Sequence, residues 1–384
     1  MTFSPHSRHL FHLFIFLLAG LHSVTAMSVE MLADPPWFRD ILEQYRQQYN
    51  LPALGASVII NGQVVAASVV GIRKYGDKTP AEQDDRFHIG SIAKSITATL
   101  LARFIEQGFF HWQDTIETMF PDLVDNMQPV YRKVNIEQLL SHTSGMPYQP
   151  TTPESETDKF GNTAQLKRKG YVIAALKDKP EAPPGTKFIY GGGHILAAHY
   201  AEVFMELPYE ELMREQVFIP LGMTTARFGP PATPGKIDAP WEHVIENGVV
   251  KPLAPEQDQF EQARSPAGRN LCMSIADLGR FAATHLSGAQ AKSNYLKPET
   301  FTYLHTPVPS STSGPSWGIG KVNWAAGNVL WHSGSTLKNF ALCHIVPEEN
   351  FAVCLVTNIW YEGIHQNMDK LTIDIARFIQ GGHF

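Results

Sequence analysis

Cysteines, basic clusters and long apolar runs are all scarce in this sequence. Three cysteines among 384 residues cannot form a disulfide framework, and no C-x-x-C pair occurs that could hold a structural zinc ion. Lys and Arg number 31 against 37 Asp and Glu, and the formal charge of −6 argues against a nucleic-acid surface. With 43% hydrophobic and 18% charged residues the chain is neither disordered nor fibrous, which leaves a globular enzyme or binding protein.

The first residues have the features of a secretory signal peptide. Arg8 gives a weakly positive start, residues 10–21 form an apolar run broken only by His12, and residues 24–26 form a small-residue cleavage site. The run is too short to span a bilayer, which takes about 20 residues, and no later stretch predicts stable membrane insertion. We therefore predict cleavage near residue 26 and a secreted or periplasmic domain at 27–384. An uncleaved anchor or a misassigned start codon is the alternative.

Strand patterns lie near both ends of the chain, and helical patterns fill the middle. An Asn61-Gly62 pair between two β-rich runs predicts a type I′ hairpin, and the turn at 347–350 predicts a second hairpin. We predict an α/β (α+β) fold with an antiparallel sheet formed by both termini, at about 50–90 and 315–384, and flanked by helices. A mostly helical region at about 91–290 is inserted between the two parts of the sheet.

The second hairpin brings two of the three cysteines face to face. If Val346 opposes Phe351 across the turn, then Cys343 opposes Cys354. In an oxidising compartment such a pair could form a disulfide, or the two could remain small reduced core residues. Cys272 has no obvious partner.

Three serine motifs compete for the role of nucleophile. Ser316 lies in a G-x-S-x-G pattern, but a strand-like run follows it where a nucleophile elbow needs a helix. Ser335 and Lys338 form an S-x-x-K pattern at the start of a predicted strand, where residues three apart point to opposite faces. Ser91 and Lys94 form the same pattern in the first turn of a predicted helix, where residues three apart are neighbours. Only there can the lysine reach the serine, although a capping serine beside a solvated lysine would give the same local pattern.

The surroundings of Ser91 resemble a known active-site segment. Residues 87–98, Phe-His-Ile-Gly-Ser-Ile-Ala-Lys-Ser-Ile-Thr-Ala, resemble that of the serine β-lactamase and penicillin-binding-protein superfamily. The resemblance is closest to class C β-lactamases and related serine esterases, D-aminopeptidases and transacylases, and it implies a β-lactamase-like fold. Further blocks follow in the family's order at 139–147, 184–190, 220–223, 266–268, 274–277 and 331–334.

The resemblance implies a catalytic role for four side chains. Ser91 would be the acylated nucleophile and Lys94 would hold its proton network. Tyr190 matches the tyrosine of the family's Y-x-N element and would assist as general base. His332 matches the first position of the K/H-x-G strand motif, where a partly protonated imidazole would supply positive potential.

The same resemblance implies the remaining parts of the site. The backbone N–H groups of Ser91 and Ser335 would form the oxyanion hole, and Gly334 would let the substrate approach the strand edge. His142 is expected to belong to a structural turn and not to a catalytic dyad. No metal or organic cofactor is implied.

The chain departs from the family pattern at one substrate-binding position. Where the family has Y-x-N, this sequence reads Tyr190-Gly191-Gly192, so Gly192 replaces an asparagine that usually contacts the lysine and the substrate amide. The glycine is expected to open space for a bulkier or less polar acyl group. It disfavours β-lactamase and peptidase activity more than it disfavours simple acyl transfer.

We therefore predict a secreted serine hydrolase or acyltransferase that forms an acyl-serine intermediate. Its expected substrate is an ester or amide, either a small molecule or a short peptide. The alternatives are a non-catalytic binding or regulatory protein that keeps the fold, and a tailoring transacylase in a small-molecule pathway. The sequence leaves the oligomeric state open.

Overall fold

A computed structural model describes residues 32–152, 158–257, 261–315 and 317–382. The predicted signal peptide at 1–26 and Ser316 lie outside these ranges. Antiparallel strands lie on either side of Ser316, with Ser313 paired to Gly318 and Gly314 paired to Trp317, whereas a nucleophile elbow needs a helix after its serine. The chain from Ala33 onward forms one compact unit.

One antiparallel sheet, supplied by both ends of the chain, organises the fold. Its strand order is β2-β1-β12-β11-β10-β9-β8, which confirms the predicted layout. Two smaller sheets, β3-β7-β4 and β5-β6, lie within the central region. The strands are β1 (Ala53–Ile60), β2 (Gln63–Gly71), β3 (Phe87–His88), β4 (Arg227–Phe228), β5 (Glu242–Glu246), β6 (Val249–Leu253), β7 (Leu271–Met273), β8 (Ser313–Gly314), β9 (Trp317–Gly320), β10 (Val329–Gly334), β11 (Phe340–Val346) and β12 (Phe351–Thr357).

Helices cover both faces of the main sheet and fill the region between its two parts. No helix in the described part of the chain is long and apolar enough to cross a bilayer. The helices are α1 (Pro36–Gln48), α2 (Ala93–Glu106), α3 (Ile116–Met119), α4 (Ile136–Leu140), α5 (Ala164–Lys177), α6 (Gly193–Met205), α7 (Tyr209–Met213), α8 (Ile275–Ala289), α9 (Pro298–Leu304) and α10 (Ile364–Gln380).

The period-two alternation of β1 explains how the sheet is buried on both faces. Leu54, Ala56 and Val58 belong to an apolar core that includes residues of the terminal helices α1 and α10. Gly55 and Ser57 point the other way, against α8. Because both faces are covered, all residues of β1 except the last are buried.

The two hairpins follow the sequence-based predictions. Asn61 and Gly62 both have positive φ, 54° and 74°, as a type I′ turn requires. Cys343 lies opposite Cys354 in the predicted register, and this prediction is confirmed. All three cysteines are free thiols, with the Cys343 and Cys354 sulfurs 3.5 Å apart in the core.

Candidate active site

Ser91 and Lys94 lie where the chain passes from a short 3₁₀ turn (Gly90–Ile92) into α2. The Lys94 side chain is fully buried, and its Nζ donates to Ser91 Oγ at 3.2 Å and to the Ala267 carbonyl at 2.8 Å. The helical spacing therefore places the lysine beside the serine, as predicted. In the other S-x-x-K pattern, Ser335 and Lys338 lie in the connection between β10 and β11 and not on a strand, so that expectation is wrong.

Burial changes the protonation of Lys94. The pKa of the ammonium falls from 10.5 to about 7, mainly because of burial; Tyr148 opposes the shift, and the positive charges of Arg264 and Arg269 contribute to it. Near neutral pH a substantial fraction of Lys94 is therefore a free amine, which can accept a proton from Ser91.

Tyr190 lies directly beneath this lysine. Lys94 Nζ is 4.7 Å from the centroid of the Tyr190 ring, and the Ser91 side chain is near enough to the phenol to affect its pKa. Burial raises the pKa of Tyr190 to about 12, although Ser91 and the charge of Arg264 oppose this effect. At pH 7 the phenol is therefore neutral and can donate a proton.

His332 lies on β10 with its imidazole beside the same cluster. Its Nδ1 is 2.7 Å from the Ser333 carbonyl oxygen, which only accepts, so Nδ1 carries the proton and Nε2 is left as an acceptor. Burial and the charge of Lys94 lower the pKa of His332 to about 4. The expectation of a partly protonated His332 is therefore wrong near neutral pH, because desolvation and a neighbouring cation both favour the neutral ring.

Glycines bring the two expected oxyanion donors together. A Cβ on Gly334 would lie 2.5 Å from the backbone nitrogen of Ser91, and a Cβ on Gly90 would overlap the backbone nitrogen of Ser335. Gly90 also has φ of +51°, which disfavours other residues. The two backbone segments are thus in direct contact, which places the Ser91 and Ser335 nitrogens close to each other.

The turn after Gly334 is fixed in part by Thr336 and Asn339, which sequence reasoning did not single out. Ser335 donates its hydroxyl to the Asn339 carbonyl at 2.6 Å, and the Asn339 side-chain oxygen accepts from the Thr336 backbone N–H at 2.9 Å. Asn339 also donates to the carbonyl of His88. These bonds tie the Ser335 backbone to the chain just before Ser91.

The expected open space at Gly192 does not exist. A Cβ at this position would lie within 3.0 Å of the Tyr171 ring and overlap its hydroxyl. The expectation of room for a bulkier acyl group is therefore wrong, because a side chain from α5 fills the volume.

Aromatic side chains form the rim of the site. Tyr148, which is 39% exposed, stacks on Tyr190 with ring centroids 5.6 Å apart and lies 4.8 Å beneath the Arg264 guanidinium. Phe188 is 43% exposed and packs edge-on against His142 at 5.3 Å. Tyr148 and Arg264 lie next to the family-like sequence blocks at 139–147 and 266–268. Their position beside these blocks is the sequence feature from which both could have been predicted as site residues.

His142 packs against Tyr190 and binds the backbone of the next residue. Its ring centroid is 4.4 Å from that of Tyr190, and its Nδ1 accepts the Gly191 N–H at 3.1 Å. The residue has φ of +60° in the turn after α4. These contacts agree with the predicted structural role.

The part of the chain that the structure describes contains no cluster of three or more His, Cys, Asp or Glu side chains suited to a metal ion. The chemistry that this site offers comes from a serine hydroxyl, a buried amine, a phenol and a neutral imidazole. Such a set is suited to acyl transfer through a covalent serine adduct.

Comparisons with known proteins agree with this geometry. The chain is 26% identical to "Penicillin-binding protein 4" of Amycolatopsis lactamdurans over 67% of its own length and 65% of that protein's. It is also 26% identical to "D-alanyl-D-alanine-carboxypeptidase/endopeptidase AmpH" of Escherichia coli (strain K12), over 57% of each chain. The matched stretches thus span less than two thirds of these relatives.

Solved structures share the fold. The penicillin-binding protein homologue from Pyrococcus abyssi has a TM-score of 0.67 at 21% identity, covering 84% of this chain and 72% of its own. The D-amino acid amidase from Ochrobactrum anthropi SV3 has a TM-score of 0.71 at 17% identity, covering 90% of this chain and 98% of its own. The Beta-lactamase family model matches residues 38–377. The protein therefore belongs to the β-lactamase family of serine hydrolases.

Proposed function

We propose that the protein cleaves an ester or amide through an acyl intermediate on Ser91 and passes the acyl group to water or to another acceptor. The observation that carries this proposal is the pair formed by Ser91 and the fully buried Lys94, 3.2 Å apart. Among the described residues Lys94 bonds to Ser91 and Ala267, and no carboxylate there offsets its charge. Burial of an uncompensated lysine is costly for folding, and a gain in reactivity explains why it is kept.

In the first step the Lys94 amine accepts the Ser91 proton as Oγ bonds to the substrate carbonyl carbon. The carbonyl oxygen becomes an oxyanion between the Ser91 and Ser335 N–H groups. Its collapse breaks the bond to the leaving alkoxide or amine, which takes the Tyr190 proton. The Lys94 ammonium then returns a proton to Tyr190.

In the second step an acceptor repeats the chemistry in reverse. Water, an alcohol or an amine gives its proton to the Lys94–Tyr190 pair and attacks the acyl carbon, and Ser91 leaves with a proton restored to Oγ. Neutral His332 offers Nε2 as a hydrogen-bond acceptor to the incoming group. Whether hydrolysis or transfer dominates depends on which acceptor is present.

Intact mass spectrometry tests the proposal. The protein is incubated with a fluorophosphonate and, separately, with a panel of p-nitrophenyl esters, D-alanine amides, D-alanine peptides and a penicillin. The D-amino-acid substrates are included because the names of similar proteins mention D-alanine and D-amino acids. We expect one adduct that disappears in Ser91→Ala, with Ser287→Ala, a change near the end of α8, as the control that keeps it. Equal labelling of Ser91→Ala would contradict the proposal. No adduct with any probe, together with saturable ligand binding, would favour the non-catalytic alternative.

We also propose that the chain is exported, on the strength of its apolar leader and the small residues at 24–26. N-terminal sequencing of the protein recovered from outside the cytoplasm tests this. A new terminus near residue 27 supports export with cleavage, whereas an intact Met1 on cytoplasmic protein contradicts it.

A further inference from the structure

The glycine at position 192 is not required by the backbone. Gly192 has φ of −82° and ψ of 12°, outside the left-handed region that favours glycine. It is the N-cap residue of α6 and no side chain caps the helix there. Asparagine is among the preferred N-cap residues, so local conformation would accept the family's asparagine at this position.

A neighbouring side chain excludes that asparagine. A Cβ on Gly192 would lie 2.9 Å from Tyr171 Cζ and 3.1 Å from Cε1, and still closer to the hydroxyl. The Tyr171 side chain is only 5% exposed and is held on α5, so it cannot swing out to solvent.

The two adjacent glycines differ from Gly192 in what surrounds them. A Cβ on Gly191 would overlap the Met146 carbonyl, and one on Gly193 would overlap the Leu139 carbonyl. Those obstacles are backbone atoms, which no second substitution can remove. At Gly192 the three nearest atoms all belong to the Tyr171 side chain, so we expect glycine here and tyrosine at 171 to depend on each other.

This pair also supports the rim of the site. Tyr171 donates its hydroxyl to the Tyr148 carbonyl at 3.4 Å, and the Gly192 N–H donates to the Pro147 carbonyl at 3.4 Å. The two bonds hold the segment that carries the Tyr148 ring against Tyr190. Substitutions at Tyr171 or Gly192 are therefore expected to affect Tyr190 through the Tyr148 ring that stacks on it.

We propose that Tyr171 is a specificity-determining residue that fills the space beside Gly192 and restricts the site to acyl groups that carry no amide. An asparagine amide both donates and accepts hydrogen bonds, whereas a phenol that gives its proton to a backbone carbonyl can only accept. A substrate whose acyl side carries an amide carbonyl thus finds no donor there. The exposed rings of Tyr148 and Phe188 offer an apolar surface to the acyl group. The inference rests on the acyl-Ser91 mechanism proposed above.

A double-mutant cycle tests the inference. The variants are Gly192→Asn, Tyr171→Ala and the double variant, and kcat/KM is measured on p-nitrophenyl butyrate and on the p-nitrophenyl ester of N-acetyl-D-alanine, which share a leaving group. We expect Gly192→Asn alone to lose at least tenfold on both substrates. The double variant should recover most of the butyrate activity and raise the ratio of N-acetyl-D-alanyl to butyryl activity at least tenfold above wild type. Additive effects, or an unchanged ratio in the double variant, would overturn the inference.

Matched controls distinguish relief of the Tyr171 overlap from a general loss of packing around the site. In Gly193→Ala the new Cβ would overlap the Leu139 backbone carbonyl, so Tyr171→Ala should not restore the activity of this variant. Equal restoration of activity would also overturn the inference. If Tyr171→Ala does not fold, the loss of melting temperature caused by Gly192→Ala is compared between wild type and the Tyr171→Phe variant. The loss should be smaller in Tyr171→Phe, which lacks the overlapping hydroxyl, and equal losses would contradict the pairing. The melting readout needs no catalysis, so it distinguishes failure of the pairing from failure of the Ser91 mechanism.

Discussion

Two fully buried cations, Lys94 and Arg168, contact the same short segment of chain. Lys94 donates to the Ala267 carbonyl at 2.8 Å, and Arg168 donates to the Gln262 carbonyl at 2.9 Å. These carbonyls lie at the two ends of one 3₁₀ segment, Gln262–Ala267. Both cations therefore anchor the loop that borders the active site.

The two cations differ in their counter-charges. Arg168 binds Glu202 and Glu210, each at 2.7 Å, and although burial alone would lower its pKa, these carboxylates raise the pKa above its usual value. The pKa of Glu202 is lowered, since hydrogen bonds from His199 and Arg168 outweigh its burial. Lys94 has no such partner among the described residues, and its pKa falls to about 7. Equal burial thus gives a permanent structural charge in one case and a titratable amine in the other.

Replacing Lys94 should produce the largest change in activity. In Lys94→Met the proposed proton acceptor for Ser91 is lost, and we expect kcat/KM on the best ester to fall about 10³-fold. Stopped-flow acylation with a chromogenic ester measures this. Lys167→Met, a change at a lysine on α5, is the control and should retain activity. Turnover by Lys94→Met within a few-fold of wild type would remove Lys94 from the mechanism.

Replacing Arg168 should affect folding instead. Arg168→Met leaves Glu202 buried without its cation, and we expect the free energy of unfolding to fall by about 3–5 kcal/mol. Urea denaturation measures the change. Adding Glu202→Gln to Arg168→Met should recover part of the loss, because the unpaired charge is then removed. An Arg168→Met variant as stable as wild type would show that this network is not structural.

The stability difference between wild type and Lys94→Met should depend on pH. Burial lowers the pKa of Lys94 from 10.5 to about 7, so between these values the unfolded chain binds more protons than the folded one. The stability of wild type therefore rises with pH through this window. Lys94→Met should be more stable by on the order of a few kcal/mol at pH 7, and its advantage should shrink toward pH 10. Thermal melts from pH 6.5 to 10 measure this, and a constant difference would contradict a lowered pKa.

The pH dependence of activity should also report the titration of Lys94. Because the amine is the reactive form, kcat/KM should rise with pH through an apparent pKa of about 7 and then level off. Arg264→Met removes a positive charge that lowers the Lys94 pKa, so the profile should move to higher pH and kcat/KM at pH 6 should fall by less than tenfold. Arg269→Met should move it in the same direction by a smaller amount. A shift to lower pH in Arg264→Met would show that the proton acceptor is not Lys94.

Local spacing explains why part of the site could be predicted. Ser91 and Lys94 are three residues apart at a helix start, and any helix places such residues side by side. The order of sequence blocks then identified Tyr190 and His332, and the structure brings all four together. The protonation of His332 was predicted wrongly, because desolvation of its ring is a property of the packed site and not of the motif.

The sequence by itself determined the family, the antiparallel sheet built from both ends of the chain, the register that pairs Cys343 with Cys354, and the residues of the candidate catalytic set. The sheet and the register follow from periodicity and turn residues, whereas the family and the candidate residues follow from the resemblance of the ordered motifs to a known family. Only the tertiary structure decided that Tyr171 fills the space at Gly192 and that Arg264 acts on Lys94. Each of these relations joins segments far apart in the chain, and its effect depends on distances of a few ångströms that no local pattern encodes.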